Sequence, residues 1–168
     1  MDKTKIIILD FDGTLADTAG VIIRTMQATI QELGLPARTD SQCAAMIGLR
    51  LAEIPAALYP DHEIDGDLYA STYRRLFHVF NTDGAVELYP NVLETLKELK
   101  GRGLTLTIAS SRSNASLTDY MKSLDLTDTI TYITEKGKEA VLLKDHPVSF
   151  WDTAGDKLYC QPHAPEER

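Results

Sequence analysis

Ile6-Ile7-Ile8-Leu9 runs straight into Asp10-Phe11-Asp12-Gly13-Thr14. The stretch Lys5–Leu9 is short, apolar and β-branched, which is the pattern of a buried strand. A carboxylate at the mouth of such a strand is costly unless something cationic sits against it. Residues two apart on an extended backbone face the same way, so Asp10 and Asp12 can reach one small site. Two close carboxylates repel, so one of them is protonated or a cation lies between them. A hard divalent ion such as magnesium suits oxygen donors of this kind. A calcium loop does not fit. Its fifth, sixth and twelfth positions would be Thr14, Leu15 and Val21, where Asp or Asn, Gly and Glu are needed.

Beyond this point the pattern changes in stages. From Ala16 to about Leu33, Val21, Ile22, Met26, Ile30 and Leu33 recur at helical spacing, and Gly34 is a stop. Ser41–Met46, Leu51–Leu58 and Asp67–Phe80 read as further helices, separated by turn signals at Gly48, Tyr59-Pro60 and Asp65-Gly66. After Pro90 helix and strand alternate. The spacing predicts helix Asn91–Lys100, strand Leu104–Ala109, helix Ala115–Leu124, strand Ile130–Ile133, helix Lys138–Lys144 and strand Val148–Trp151. Strands separated by helices imply an α/β fold with a parallel sheet. Its core is expected from residues 1–15 and 87–156, with a helical insert at 16–86 and a flexible tail at 157–168. In open parallel sheets ligands bind beyond the carboxyl ends of the strands. Three expected strands end in polar residues: Asp10 with Asp12, Ser110, and Asp152.

Composition narrows the partners. A chain of 168 residues with 43% hydrophobic content can build one domain of ordinary size, or a core with a smaller insert. A formal net charge of −8 argues against nucleic acid or an anionic membrane as a partner. No apolar run approaches the ~18 residues of a membrane span. The apolar run in MDKTKIIILD is too short for a signal peptide. Cys43 and Cys160 have no metal-type spacing, and a reduced, cytoplasmic setting is expected. His62, His78, His146 and His163 are scattered and form no ligand pair.

DFDGTLADT after an apolar strand resembles the first motif of the haloacid dehalogenase-like (HAD) hydrolases, in their phosphatase branch. LTLTIASSR resembles their second motif, a strand ending in Ser or Thr, and FWDTAGD resembles the fourth, an acidic pair after a strand. The resemblance implies a Rossmann-like parallel core with a helical cap inserted after the first strand. It implies that Asp10 is the nucleophile and that Asp12 is the general acid and then base. Ser110 would hydrogen-bond a phosphoryl oxygen, and a lysine would neutralise the transferred group. That lysine is Lys138, with Lys136 next; Lys144 also lies in TEKGKEAVLLKDHP. Magnesium would be held by Asp10, the backbone carbonyl of Asp12 and the acidic pair Asp152 and Asp156. Ser111, Arg112 and, in the cap, Arg50 would meet the substrate, a small phosphorylated metabolite. A monomer or homodimer is expected. A halide leaves unprotonated whereas an alkoxide does not, so the Asp10–Asp12 pair favours phosphoryl transfer over dehalogenation.

The chain departs from the family pattern in places. Trp151 stands where the fourth motif usually has Gly, and the segment from the lysine to Asp152 is short. After Asp156 only KLYCQPHAPEER follows, which leaves Val148–Trp151 as an expected open edge of the sheet, with Asp10, Asp12 and Ser110 on middle strands. A sugar phosphomutase of the same family, or a truncated HAD-like protein that binds metal or phosphate without turnover, are the alternatives.

Overall fold

The computed structural model describes residues 6–82 and 84–135, and beyond them the strands at 141–142, 149–151 and 158–160. The chain divides into two compact units, one from residues 1–11 and 90–168, the other from residues 12–89.

The first unit is built on a sheet. Strand β1 (Ile6–Leu9) pairs in parallel with β2 (Thr105–Ser110), and β2 pairs in parallel with β3 (Tyr132–Glu135). Leu106, Thr107 and Ile108 are buried in succession, so both faces of β2 are covered, as a central parallel strand requires. Helix α5 (Val92–Gly101) packs on β2, and helix α6 (Asn114–Ser123) packs on β3. Ile130 lies in the turn before β3, where its amide bonds the Leu126 carbonyl, so β3 starts two residues later than the apolar pattern suggests.

Three expectations for this unit are corrected. The predicted helix at Lys138–Lys144 contains a strand, β4 (Val141–Leu142), antiparallel to β3. Only residues 136–140 separate Glu135 from Val141. A parallel return needs a crossover of roughly a dozen residues or more, so the chain can only turn back on itself. The strand at Ser149–Trp151, β5, does not join this sheet. It pairs antiparallel with β6 (Leu158–Cys160), inside the segment expected to be a flexible tail. Its six-residue connection, 152–157, again permits a hairpin and not a crossover. The open edge is therefore not β5. The order β1-β2-β3-β4 gives β1 one partner among the described residues, and Ile8 is 55% exposed. Residues 161–168 of the expected tail lie outside the described residues.

The second unit is helical. Helix α1 (Ala19–Glu32) buries Val21, Ile22, Thr25, Met26, Thr29 and Ile30, a stripe at helical spacing. That stripe packs against α4 (Gly66–Phe80), which buries Tyr69, Ala70, Thr72, Tyr73 and Phe77. Between them lie α2 (Asp40–Ala44), a 3-10 turn at Leu51–Glu53 and α3 (Ile54–Leu58). The single helix expected at Leu51–Leu58 is split because Pro55 has no amide proton to continue the ladder. α2 opens on a capping box made by Thr39 and Gln42. Arg38 ties the α1–α2 loop to the end of α3: Nε and Nη2 donate to the Leu58 carbonyl at 3.1 and 2.9 Å, and the guanidinium lies 4.0 Å from the Tyr59 ring centroid. No described helix is long and apolar enough to cross a membrane.

Gly66 opens α4 at a close approach of backbones. A Cβ there would stand 2.3 Å from the Ala52 carbonyl oxygen. Gly66→Ala is therefore expected to lower unfolding stability by about 1–3 kcal/mol, despite alanine's better helix propensity. Urea unfolding checks this, and an unchanged or raised midpoint contradicts it. Burial also pushes up the Cys43 thiol and the Tyr69 phenol; Asp40 adds to the first against Arg38, and Cys43 adds to the second. Both groups hold their protons more tightly folded than unfolded. Their contribution is complete below the ordinary thiol value of 9.0 and is lost as pH rises through the shifted values. The urea midpoint should fall above pH 9 and not between pH 7 and 8.5; a flat profile to pH 11 refutes the shift.

Candidate functional site

The strand register places the first motif. Leu9 pairs with Ile108, so Asp10 follows the end of β1 where Ser110 ends β2 on the adjacent parallel strand. Both residues thus emerge at the carboxyl edge of the sheet. Asp10 is exposed there, and Ser110 is only 6% exposed. Phe11, between the two aspartates, is fully buried, because the alternation of an extended chain sends it opposite to Asp10.

The segment after β2 is held by its own hydrogen bonds. The Arg112 amide donates to Ser110 Oγ at 3.1 Å. One lone pair of that hydroxyl is thereby fixed, which turns its proton away from the Arg112 amide. Ser113 caps α6 by accepting from the Ser116 amide at 3.3 Å. Ser111 and Arg112 are half-buried, and Arg112 Nη1 donates to Ser116 Oγ at 3.1 Å. The register Ser110↔Glu135 adds a residue that the sequence alone did not single out. Glu135 ends β3 beside Ser110, and only the exact length of β3, two residues beyond the apolar run, reveals it.

In the helical unit, Asp12 is half-buried and its backbone bridges to Ala16. The turn between them needs Gly13, whose φ of 74° is strained for residues with a side chain, and whose amide donates to the Ala16 carbonyl at 2.9 Å. The chain then pairs with the other end of its own unit: the Asp17 amide donates to Glu87 and the Tyr89 amide to Leu15. This pairing explains why α1 starts at Ala19 and not at Ala16. Arg50 is exposed at the start of the 3-10 turn.

Among the described residues, no group of three or more His, Cys, Asp or Glu is gathered to hold a metal ion. Lys136, Lys138, Lys144, Asp152 and Asp156 lie outside the described residues, so their expected places in the site are not addressed by this geometry. Asp10 offers hard oxygen donors at an exposed strand end, which fits magnesium in chemistry.

Comparison with known proteins places this edge of the sheet in context. A phosphoglycolate phosphatase from Photorhabdus laumondii subsp. laumondii is 27% identical over 157 residues, covering 90% of this chain and 66% of that protein. A predicted phosphatase from Clostridium acetobutylicum shares the fold with a TM-score of 0.71 at 19% identity, over 80% of this chain and 62% of that one. CbbY from Rhodobacter sphaeroides, solved in complex with phosphate, gives a TM-score of 0.64 at 18% identity, over 79% of this chain and 64% of that one. The chain thus spans less than two thirds of the length of each of these three proteins. Its α/β core is of the Rossmann-like type that these neighbours share. The family model for haloacid dehalogenase-like hydrolases matches residues 7–142, and the chain belongs to that family.

Proposed function

We propose that the protein is a magnesium-dependent phosphatase that hydrolyses a small phosphorylated metabolite through an aspartyl-phosphate on Asp10. The observation that carries this reading is the emergence of Asp10 and Ser110 from adjacent parallel strands at one edge of the sheet. An exposed carboxylate beside a fixed hydroxyl suits attack on phosphorus with stabilisation of a phosphoryl oxygen.

In the first step an Asp10 carboxylate oxygen bonds to phosphorus as the bond from phosphorus to the ester oxygen breaks. Asp12 gives its proton to the departing alkoxide. In the second step Asp12 takes a proton from water, whose oxygen attacks phosphorus and returns Asp10 as a free carboxylate with release of phosphate. Ser110 donates to a phosphoryl oxygen, and Lys138, with Lys136 as the other candidate, offsets its charge. Asp10, Asp152 and Asp156, with the backbone carbonyl of Asp12, would hold magnesium, which would supply further charge neutralisation. Ser111, Arg112 and Arg50 are assigned to substrate binding. The names of the relatives make phosphoglycolate the first ester to test. A cytoplasmic setting is consistent with the buried, free thiol of Cys43.

Asp10→Asn keeps the shape of the side chain and removes the nucleophile. It is expected to lower phosphate release from a panel of esters by at least about 10³-fold with an unchanged circular dichroism spectrum. Wild-type rates in that variant would sink the assignment. Turnover is also expected to vanish in excess chelator and to return on adding magnesium. Full activity in chelator would rule out the metal role of these carboxylates.

A further inference from the structure

One side chain touches both segments assigned to catalysis. Tyr120 lies on α6 and is only 5% exposed. Its ring centroid is 5.2 Å from that of Phe11, at an interplanar angle of 41°. The Arg112 guanidinium carbon lies 5.0 Å from the same ring centroid. Phe11 is the residue directly after Asp10, and Arg112 is the residue whose amide holds Ser110 Oγ. We infer that Tyr120 is a positioning residue that sets Asp10 and Ser110 relative to one another through these two contacts. This rests on the phosphatase assignment above.

The chemistry asks for an aromatic ring at this place. An aliphatic side chain of similar volume covers Phe11 but offers no negative π-face to a guanidinium. Arg112 then loses its contact with the ring, and its backbone loses one of the constraints that aim its amide at Ser110. A shift of an ångström in either group costs turnover more than binding, because Asp10 and Ser110 act on the transferring phosphoryl group.

The test compares Tyr120→Phe, Tyr120→Leu, Arg112→Met and the double variant Tyr120→Leu with Arg112→Met. Tyr120→Leu is expected to lower kcat by about ten- to a hundredfold with KM within about threefold. Tyr120→Phe keeps the ring and should retain kcat within about threefold. The double variant should lose less than the product of the two single losses, because both single variants remove the same Tyr120–Arg112 contact. Amide chemical shifts supply a readout that does not need turnover: Tyr120→Leu should move the amides of both Asp10 and Ser110–Arg112, and Tyr120→Phe should move neither. If Tyr120→Leu does not fold, Tyr120→Met, which fills the space without a π-face, carries the test, with the same loss of kcat and the same amide shifts expected. A folded Tyr120→Leu or Arg112→Met protein with wild-type kcat overturns the inference, as does an additive double variant. Wild-type protein that hydrolyses no ester sinks the phosphatase assignment instead. The amide shifts then decide the positional claim alone: movement at both segments supports it, and movement at one or neither overturns it.

Discussion

The parallel pairing of β1 with β2 is the constraint on which the rest of the first unit depends. A register of Leu9 on Ile108 brings Asp10 and Ser110 to one edge, although they lie a hundred positions apart in the chain. A slip of one residue would turn every side chain of β1 to the other face, and would expose Phe11 in place of Asp10. The full burial of Phe11 against Tyr120 opposes that slip. The pairing is thus held from the side of the apolar core, and the acidic group is carried to the surface as its consequence.

The same logic governs the helical unit. Residues 15–17 and 87–89 meet through backbone hydrogen bonds, so the unit closes on itself where it leaves the sheet-forming chain. Its interior is made by the stripes of α1 and α4, and its loops are pinned by Arg38 on the Leu58 carbonyl and by Tyr59, whose hydroxyl donates to Pro36 at 2.7 Å. These contacts are local to the unit. Substitutions in it can therefore be read first as changes of its own stability, which is what the close approach at Gly66 exposes.

Much of this was legible in the sequence wherever one signal dominated. The run Ile6–Leu9 could hardly be anything but a strand, and the spacing of Val21, Ile22, Met26 and Ile30 set the buried face of α1. Legibility failed where connection length outweighed local propensity. Lys138–Lys144 contains helix formers, but five residues after Glu135 cannot make a crossover, and Val141–Leu142 returns antiparallel. The alternation of helix and strand points Val148–Trp151 to the parallel sheet, whereas Leu158–Cys160 offers a nearer partner. At the sheet edge, the places of Asp10 and Ser110 at the ends of their strands were legible from the apolar runs before them. The contacts of Tyr120 and the register of Glu135 were not, since no spacing in the sequence encodes them.

The register Ser110↔Glu135 bears on the charge balance of the proposed chemistry. It adds a second carboxylate to the sheet edge that carries Asp10, in a chain whose net charge is already −8. A phosphate ester approaching that edge meets like charge, and two unit charges 4 Å apart interact by about 4 kcal/mol at a surface-like effective dielectric. A fixed hydroxyl on Ser110 does not offset a repulsion of that size. Cationic groups at this edge, Arg112 beside Ser110 among them, therefore favour the binding of an anionic substrate. The sequence supplies Lys136 and Lys138 directly after Glu135, and the carboxylates themselves supply donors for a divalent ion. The acidity of this edge thus favours the proposed magnesium as much as it opposes a bare phosphate. Carboxylates that repel a bare phosphate are the groups that can recruit the ion which reverses the field.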